Sequence, residues 1–159
     1  MITGFRLCKP KRQADAFTGE GARLFGGRFN SKGTPVVYVA GSQSLAALEL
    51  LVHLDAHEVM AMYSLIRVEF DDELVSAIEL DELPKDWRKS PVPPSVQLLG
   101  DDWVRKGKSA VLRVPSVIIP SEYNYVLNVA HPQFGKIKIR EAESFGFDPR
   151  LLKQPKSLD

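Results

Sequence analysis

Apolar and polar residues alternate loosely from Ile2 to Cys8, which predicts an opening strand. Residues 9–33 carry many Gly, Arg and Lys with little periodicity and read as a long structured loop. Pro35-Val-Val-Tyr-Val-Ala40 is a short β-branched run between turn residues, hence a strand. Gly41-Ser-Gln-Ser44 supplies a turn and an N-cap, and a helix is expected from there to about Ala56. Alternation returns in Ala61 to Phe70, another strand, which Asp71 and Asp72 break. Val75 to Leu80 suits a short strand. Pro91, Pro93 and Pro94 mark a rigid break, after which Ser95 is expected to cap a helix from Val96 to Lys106 that Gly107 ends. Ser109 to Val114, Val117 to Ile119, Tyr123 to Val129 and Gly135 to Arg140 are the remaining strand candidates, and the polar tail from Lys153 is expected to fray. Strands outnumber helices and do not alternate with them regularly. The fold class expected is therefore α+β: one domain over residues 1–159, with a mixed, largely antiparallel sheet and packed helices.

One position interrupts the apolar patterning in an informative way. Glu49 lies inside Leu45-Ala-Ala-Leu-Glu-Leu-Leu-Val52, where every other residue is apolar. A helix apolar nearly all round is expected to be buried, and a buried carboxylate requires partners. Either hydroxyl or cationic groups of the fold supply them, or Glu49 faces a cavity where a ligand does. Upstream, Gly26-Gly-Arg-Phe-Asn-Ser-Lys-Gly33 offers Arg28, a planar fork suited to phosphate or carboxylate. The loop has neither the Gly-Lys-Ser/Thr ending of a P-loop nor the spacing of a Rossmann fingerprint, and it precedes its strand where both of those follow one. Tyr38 lies ten residues beyond Arg28 and eleven before Glu49, so a loop, a strand and a returning helix bring the three to one end of a sheet.

Bulk properties narrow the classes. The chain has 21 basic and 20 acidic residues, a formal net charge of +1. That balance gives no electrostatic reason to expect direct nucleic-acid binding. Cys8 is the lone cysteine, so no intramolecular disulfide forms, and a cytoplasmic setting is expected. No apolar run nears the roughly 18 residues of a membrane span, and the first ten residues lack a signal-peptide core. With three histidines (His53, His57, His131) and one cysteine, no metal site is expected. His53 shares a helix face with Glu49 and is expected to be a hydrogen-bonded helix-end residue. Ser116 has no nucleophile elbow around it and is expected to bind ligand, with Asn124, Asn128 and His131 candidates for the same cleft.

The stretch from Gly19 to Ala40, followed by Ala46 to His53, resembles the RES-domain family, named for its Arg, Glu and Ser residues. The resemblance continues through Leu99-Gly-Asp-Asp-Trp103, Val114-Pro-Ser116, Asn128 with His131-Pro132, and Phe147-Asp-Pro-Arg150. Phe29 stands where tryptophan is common, and Asn128-Val-Ala-His131 stands in place of Asn-Pro-x-His. The resemblance implies a fold similar to ADP-ribosyltransferase toxins and a toxin of a type II toxin–antitoxin module. It implies depletion of NAD by cleavage of the nicotinamide–ribose bond, with water or inorganic phosphate as acceptor. NAD is then a consumed substrate, and no cofactor is required. The alternatives are a protein ADP-ribosyltransferase, a toxin directed at RNA and a non-catalytic binding module. It implies an Xre-type antitoxin that occludes the active site, and a homodimer or higher toxin–antitoxin assembly. By position, it makes Glu49, Arg28 and Tyr38 catalytic, and Arg23, Asn30, Ser116, Asn128 and His131 substrate-binding.

Overall fold

A computed structural model describes residues 1–152. The tail expected to fray lies outside the described residues. Eight strands form one sheet: β1 (Ile2–Cys8), β2 (Val36–Ala40), β3 (Met62–Phe70), β4 (Val75–Ala77), β5 (Val111–Pro115), β6 (Tyr123–Asn128), β7 (Lys138–Ile139) and β8 (Glu143–Gly146). Their order is β4-β5-β6-β2-β1-β3-β7, with β8 also paired to β3. Among the described residues only β4 and β5 run parallel. The helices are α1 (Glu20–Phe25), α2 (Gln43–Leu51), α3 (Ala56–Val59) and α4 (Pro94–Lys106). The α+β class with a mixed, largely antiparallel sheet is what the alternation predicts.

Alternation also sets the core. Val37, Val39, Tyr125 and Leu127 point to one side, where Phe70, Leu74 and Ile137 complete a cluster. Their neighbours Val36, Val126, Leu112 and Val114 point to the other, against Val96 and Trp103 of α4, Trp87 and Phe29. Gly100 lets α4 lie directly on the loop after α1, because a Cβ there would sit 1.7 Å from the Phe29 carbonyl oxygen. The loop that carries Arg28 is thereby clamped between sheet and helix.

Several local expectations change: the helix expected to reach about Ala56 ends at Leu51, and the strand expected over Gly135 to Arg140 narrows to Lys138–Ile139. Residues 9–33 contain α1 and a 3-10 turn at Pro10–Asp15, both too short to show periodicity. Helix α4 begins at Pro94 with Pro93 as its N-cap, not at Ser95, because proline at the first helical position loses no hydrogen bond. Residues 117–119 are not a strand: the Ser116 hydroxyl accepts the N–H groups of Ile118 and Ile119, each at 3.1 Å, and bends the chain instead. The strand β8 has no apolar alternation to announce it, since Glu143 and Ser144 are exposed.

The third cluster brings α2 to the sheet. Leu45 and Ala46 pack with Ala40, Phe5, Leu7 and Ile119. Ser42 caps the helix by accepting from Leu45 N at 3.1 Å. Contrary to the expectation of a wholly buried helix, Leu48 is 37% exposed and Val52, the C-cap of α2, 62%. The apolar residues of α2 therefore serve both a core and a surface.

Candidate active site

A cavity of about 680 Å³ opens beside β2 and α2. Arg28, Tyr38, Glu49 and Asn124 line it together with Arg6 and His53. Phe5, Leu7, Val39, Val114 and Val117 give it apolar walls. The size and the mixture of apolar wall and few polar groups suit a small-molecule site.

Glu49 reaches the cavity from α2, and the partners it requires come from two other elements. Ser116 Oγ, at the end of β5, donates to Glu49 Oε1 at 2.7 Å. Asn124 Nδ2, on β6, donates to the same oxygen at 2.6 Å. Among the described residues Oε2 accepts no hydrogen bond, so half of the carboxylate is left for a ligand. Ser116 itself is fully buried. It therefore stands behind Glu49, orienting it.

Arg28 projects from the glycine-rich loop. Its Nη1 donates to the carbonyl oxygens of Trp87, at 2.8 Å, and Lys89, at 3.0 Å. Among the described residues its other nitrogens make no hydrogen bond, so part of the fork remains for an anion. Burial lowers its pKa, and the Glu49 charge opposes that shift. The two groups thus feel each other within one cavity.

Tyr38 presents its ring to the cavity while its hydroxyl is engaged on the loop. The hydroxyl donates to Asn30 Oδ1 at 2.7 Å and accepts from Phe29 N at 3.0 Å. Burial pushes its pKa far above the ordinary tyrosine value, so the phenol stays neutral. Asn30 is fully buried, and its Nδ2 donates to the carbonyls of Ala22, Thr34 and Ser31 at 2.8, 3.1 and 3.2 Å. A Cβ on Gly27 would sit 2.7 Å from the Tyr38 hydroxyl, so only glycine permits this approach. Asn30 therefore builds the loop from within.

The remaining expected residues lie apart. Arg23 does not line the cavity; its side chain is 42% exposed and pairs with Glu20. Asn128 is buried at the end of β6, and its Oδ1 accepts from Ala130 N at 3.1 Å. His131 caps a turn by accepting from Gln133 N at 3.1 Å, with its other ring nitrogen 3.1 Å from the Gly107 carbonyl. Neither lines the cavity. His53 is exposed at the rim just beyond α2, and its side chain makes no hydrogen bond among the described residues. Three supports were not among the expected site residues, although Asp101 lies in the Leu99-Gly-Asp-Asp-Trp103 motif of the resemblance. Asp101 accepts from Ser31 N at 3.0 Å and from its hydroxyl; Gln97 Nε2 donates to the Gly27 carbonyl at 3.0 Å. Both sit on α4 and lock the loop. Arg6 is the third, a charged residue in mid-strand.

Residues 3–148 match the RES domain family. "Toxin Res" of Photorhabdus laumondii subsp. laumondii is 38% identical over 154 residues, covering 96% of this chain and 98% of that protein. "Prs ADP-ribosylating toxin" of Sphingobium sp. is 36% identical, covering 97% and 99%. Among solved structures, the M. tuberculosis MbcT-MbcA toxin–antitoxin complex contains a chain of similar fold, with a TM-score of 0.75 at 21% identity, covering 94% of this chain and 86% of that one. The family match over nearly the whole chain, with relatives of equal length, establishes that this protein belongs to the RES-domain toxin family.

Proposed function

We propose that this chain is an NAD-consuming toxin enzyme that cleaves the nicotinamide–ribose bond. The observation that carries the reading is the half-free carboxylate of Glu49, sharing an apolar cavity with the Arg28 fork and the Tyr38 ring. In this reaction the bond between ribose C1′ and the pyridinium nitrogen breaks, and its electron pair goes to that nitrogen. Nicotinamide leaves neutral, so no general acid is needed. The ribose becomes oxocarbenium-like, and the Glu49 carboxylate stabilises that cation. Water then forms the new bond at C1′ and loses a proton, giving ADP-ribose. Inorganic phosphate serves equally as acceptor in a phosphorylase. Arg28 binds the pyrophosphate, and the Tyr38 ring gives the nicotinamide or ribose an aromatic face.

The test is product analysis after incubation with NAD, with and without phosphate. Glu49→Gln is expected to lose on the order of 10²–10³-fold in turnover while staying folded. Arg28→Ala is expected to lose about 2–4 kcal/mol of binding, with Arg28→Lys failing to restore it. Wild-type turnover by Glu49→Gln removes the carboxylate from the mechanism.

A second reading is favoured by the Sphingobium relative, which is named for ADP-ribosylating Prs. Here a protein side chain takes the place of water at C1′ and the residues keep their roles. Radiolabel from NAD carried onto a protein, in place of free ADP-ribose, distinguishes the two. An enzyme that destroys NAD in the cell that makes it requires an inhibitor. The toxin names of the relatives and the fold's occurrence in a toxin–antitoxin complex support an antitoxin partner, which on this reading covers the cavity.

A further inference from the structure

We infer that Arg88 completes, with Arg28, a two-guanidinium seat at the rim of the cavity for the pyrophosphate of a dinucleotide. The inference rests on the NAD reading only for the choice of substrate. Arg88 is exposed, on the segment between β4 and α4. Two sets of contacts fix its place. Arg28 Nη1 donates to the carbonyls of Trp87 and Lys89, the residues on either side of it, at 2.8 and 3.0 Å. Arg88 Nε donates to the Val117 carbonyl at 2.9 Å, and Val117 lines the cavity. The Arg88 side chain is thereby tied to the cavity wall, and its flanking backbone to the cation inside. Its Nη1 and Nη2 donate to nothing among the described residues. No carboxylate of the described residues lies within ion-pair distance of either arginine.

Like charges on neighbouring side chains repel, and water only partly screens them. The repulsion registers at Arg28: burial is the main cause of its lowered pKa, and the Arg88 charge adds to it against the pull of Glu49. An acidic side chain between the two would cancel the repulsion, and the described residues supply none. Both guanidinium groups are held by backbone carbonyls instead, which orient a cation without neutralising it. An anion with two charged centres fits that arrangement, and a pyrophosphate carries one charge on each phosphoryl group. A free phosphate attacking at C1′ has to stand inside the cavity beside Glu49, whereas Arg88 stands at the rim. Its exposure gives Arg88 a second consequence. A charge at the entrance draws an anionic ligand in, and salt weakens that pull.

Calorimetric titration with ADP, AMP and inorganic phosphate tests this on wild type, Arg88→Ala and Arg88→Lys, at low and high salt, with thermal unfolding of each. ADP and AMP differ by one phosphoryl group. Wild type is expected to prefer ADP, and Arg88→Ala to lose about tenfold in ADP affinity while AMP changes little. The ADP affinity of wild type is expected to fall more steeply with salt than that of Arg88→Ala, which an arginine that merely bridges to Val117 would not produce. Equal losses for ADP and AMP overturn the pyrophosphate seat, and so does loss of inorganic phosphate binding with ADP unaffected, which assigns Arg88 to the free anion. Should Arg88→Ala fail to fold, Arg88→Lys decides, since it keeps the charge: a retained preference for ADP supports the seat, and a lost one at unchanged Tm overturns it. Wild-type affinities in Arg88→Ala, or no binding of ADP to wild type, also overturn it. NAD turnover is scored separately. A chain that prefers ADP through Arg88 but leaves NAD intact keeps this seat and loses the proposed reaction; a chain that splits NAD while Arg88→Ala keeps the wild-type preference does the reverse.

Discussion

The loop that presents Arg28 and the helix that presents Glu49 are built by opposite means. The loop is irregular, yet its polar groups are paired by Asn30, Tyr38, Asp101 and Gln97. The helix is regular and apolar, yet it leaves Leu48 and Val52 in solvent. Its one acid is oriented by Ser116 and Asn124, from other elements. Polar residues in the loop thus act as core, and apolar residues in the helix partly act as surface. The lesson is that hydropathy locates the elements here, while hydrogen bonding decides which polar residues hold the cavity and which face it.

The sharpest way to break this comparison is Asn30→Ala. It strands three carbonyls and the Tyr38 hydroxyl at a site with no solvent. A destabilisation of about 3–4 kcal/mol is expected in urea unfolding. A change below about 1 kcal/mol would mean that Asn30 is not part of the loop's internal frame.

Tyr38→Phe is expected to cost less, about 1–2 kcal/mol, because it leaves only Phe29 N–H and one Asn30 acceptor without a partner. It also sharpens the picture through pH. Burial raises the Tyr38 pKa above the ordinary value of 10.0. Above about pH 10 the unfolded chain sheds this proton first, so the stabilisation is complete below that pH and declines as pH rises through the folded value. Stability of Tyr38→Phe should therefore fall less steeply above pH 10 than that of wild type. Burial also raises Tyr63 and Tyr125, so some alkaline decline persists in the variant. Parallel curves for the two proteins would show that the hydroxyl is not held as described.

The smallest effect belongs to the helix. Val52→Ser, at 62% exposure, is expected to change stability by no more than about 0.5 kcal/mol. A loss of 2 kcal/mol would return this position to the core that its apolar neighbours suggest.

Much of the frame was legible. The strands Ile2–Cys8, Val36–Ala40 and Met62–Phe70 follow alternation and β-branching, and the helix bearing Glu49 follows its cap. What stayed hidden has physical causes. Helix α1 has six residues, fewer than two turns, so no apolar face develops. Glu143–Gly146 joins an existing sheet by backbone pairing with Phe145 as its one packed apolar side chain, too little for an alternation to show. At the site, Arg28, Tyr38 and Glu49 stood out by residue type and order, and they share one cavity. Asn30 and Ser116 stood out equally, but a motif position does not tell a residue that faces the cavity from one that supports it; their zero exposure does. Arg6 was hidden because a charged residue in an alternating strand ordinarily reads as the solvent side.

The one-sided anchoring of Glu49 bears on inhibitor chemistry. With Oε1 already receiving two donors, an amidine or guanidine warhead that grips both carboxylate oxygens would have to displace Ser116 or Asn124 and forfeit those bonds. A compound with a single donor, an ammonium or one sugar-like hydroxyl aimed at Oε2, meets the carboxylate as it stands. Selectivity against enzymes whose acid is free on both oxygens would then come from denticity, with no change in overall shape or charge.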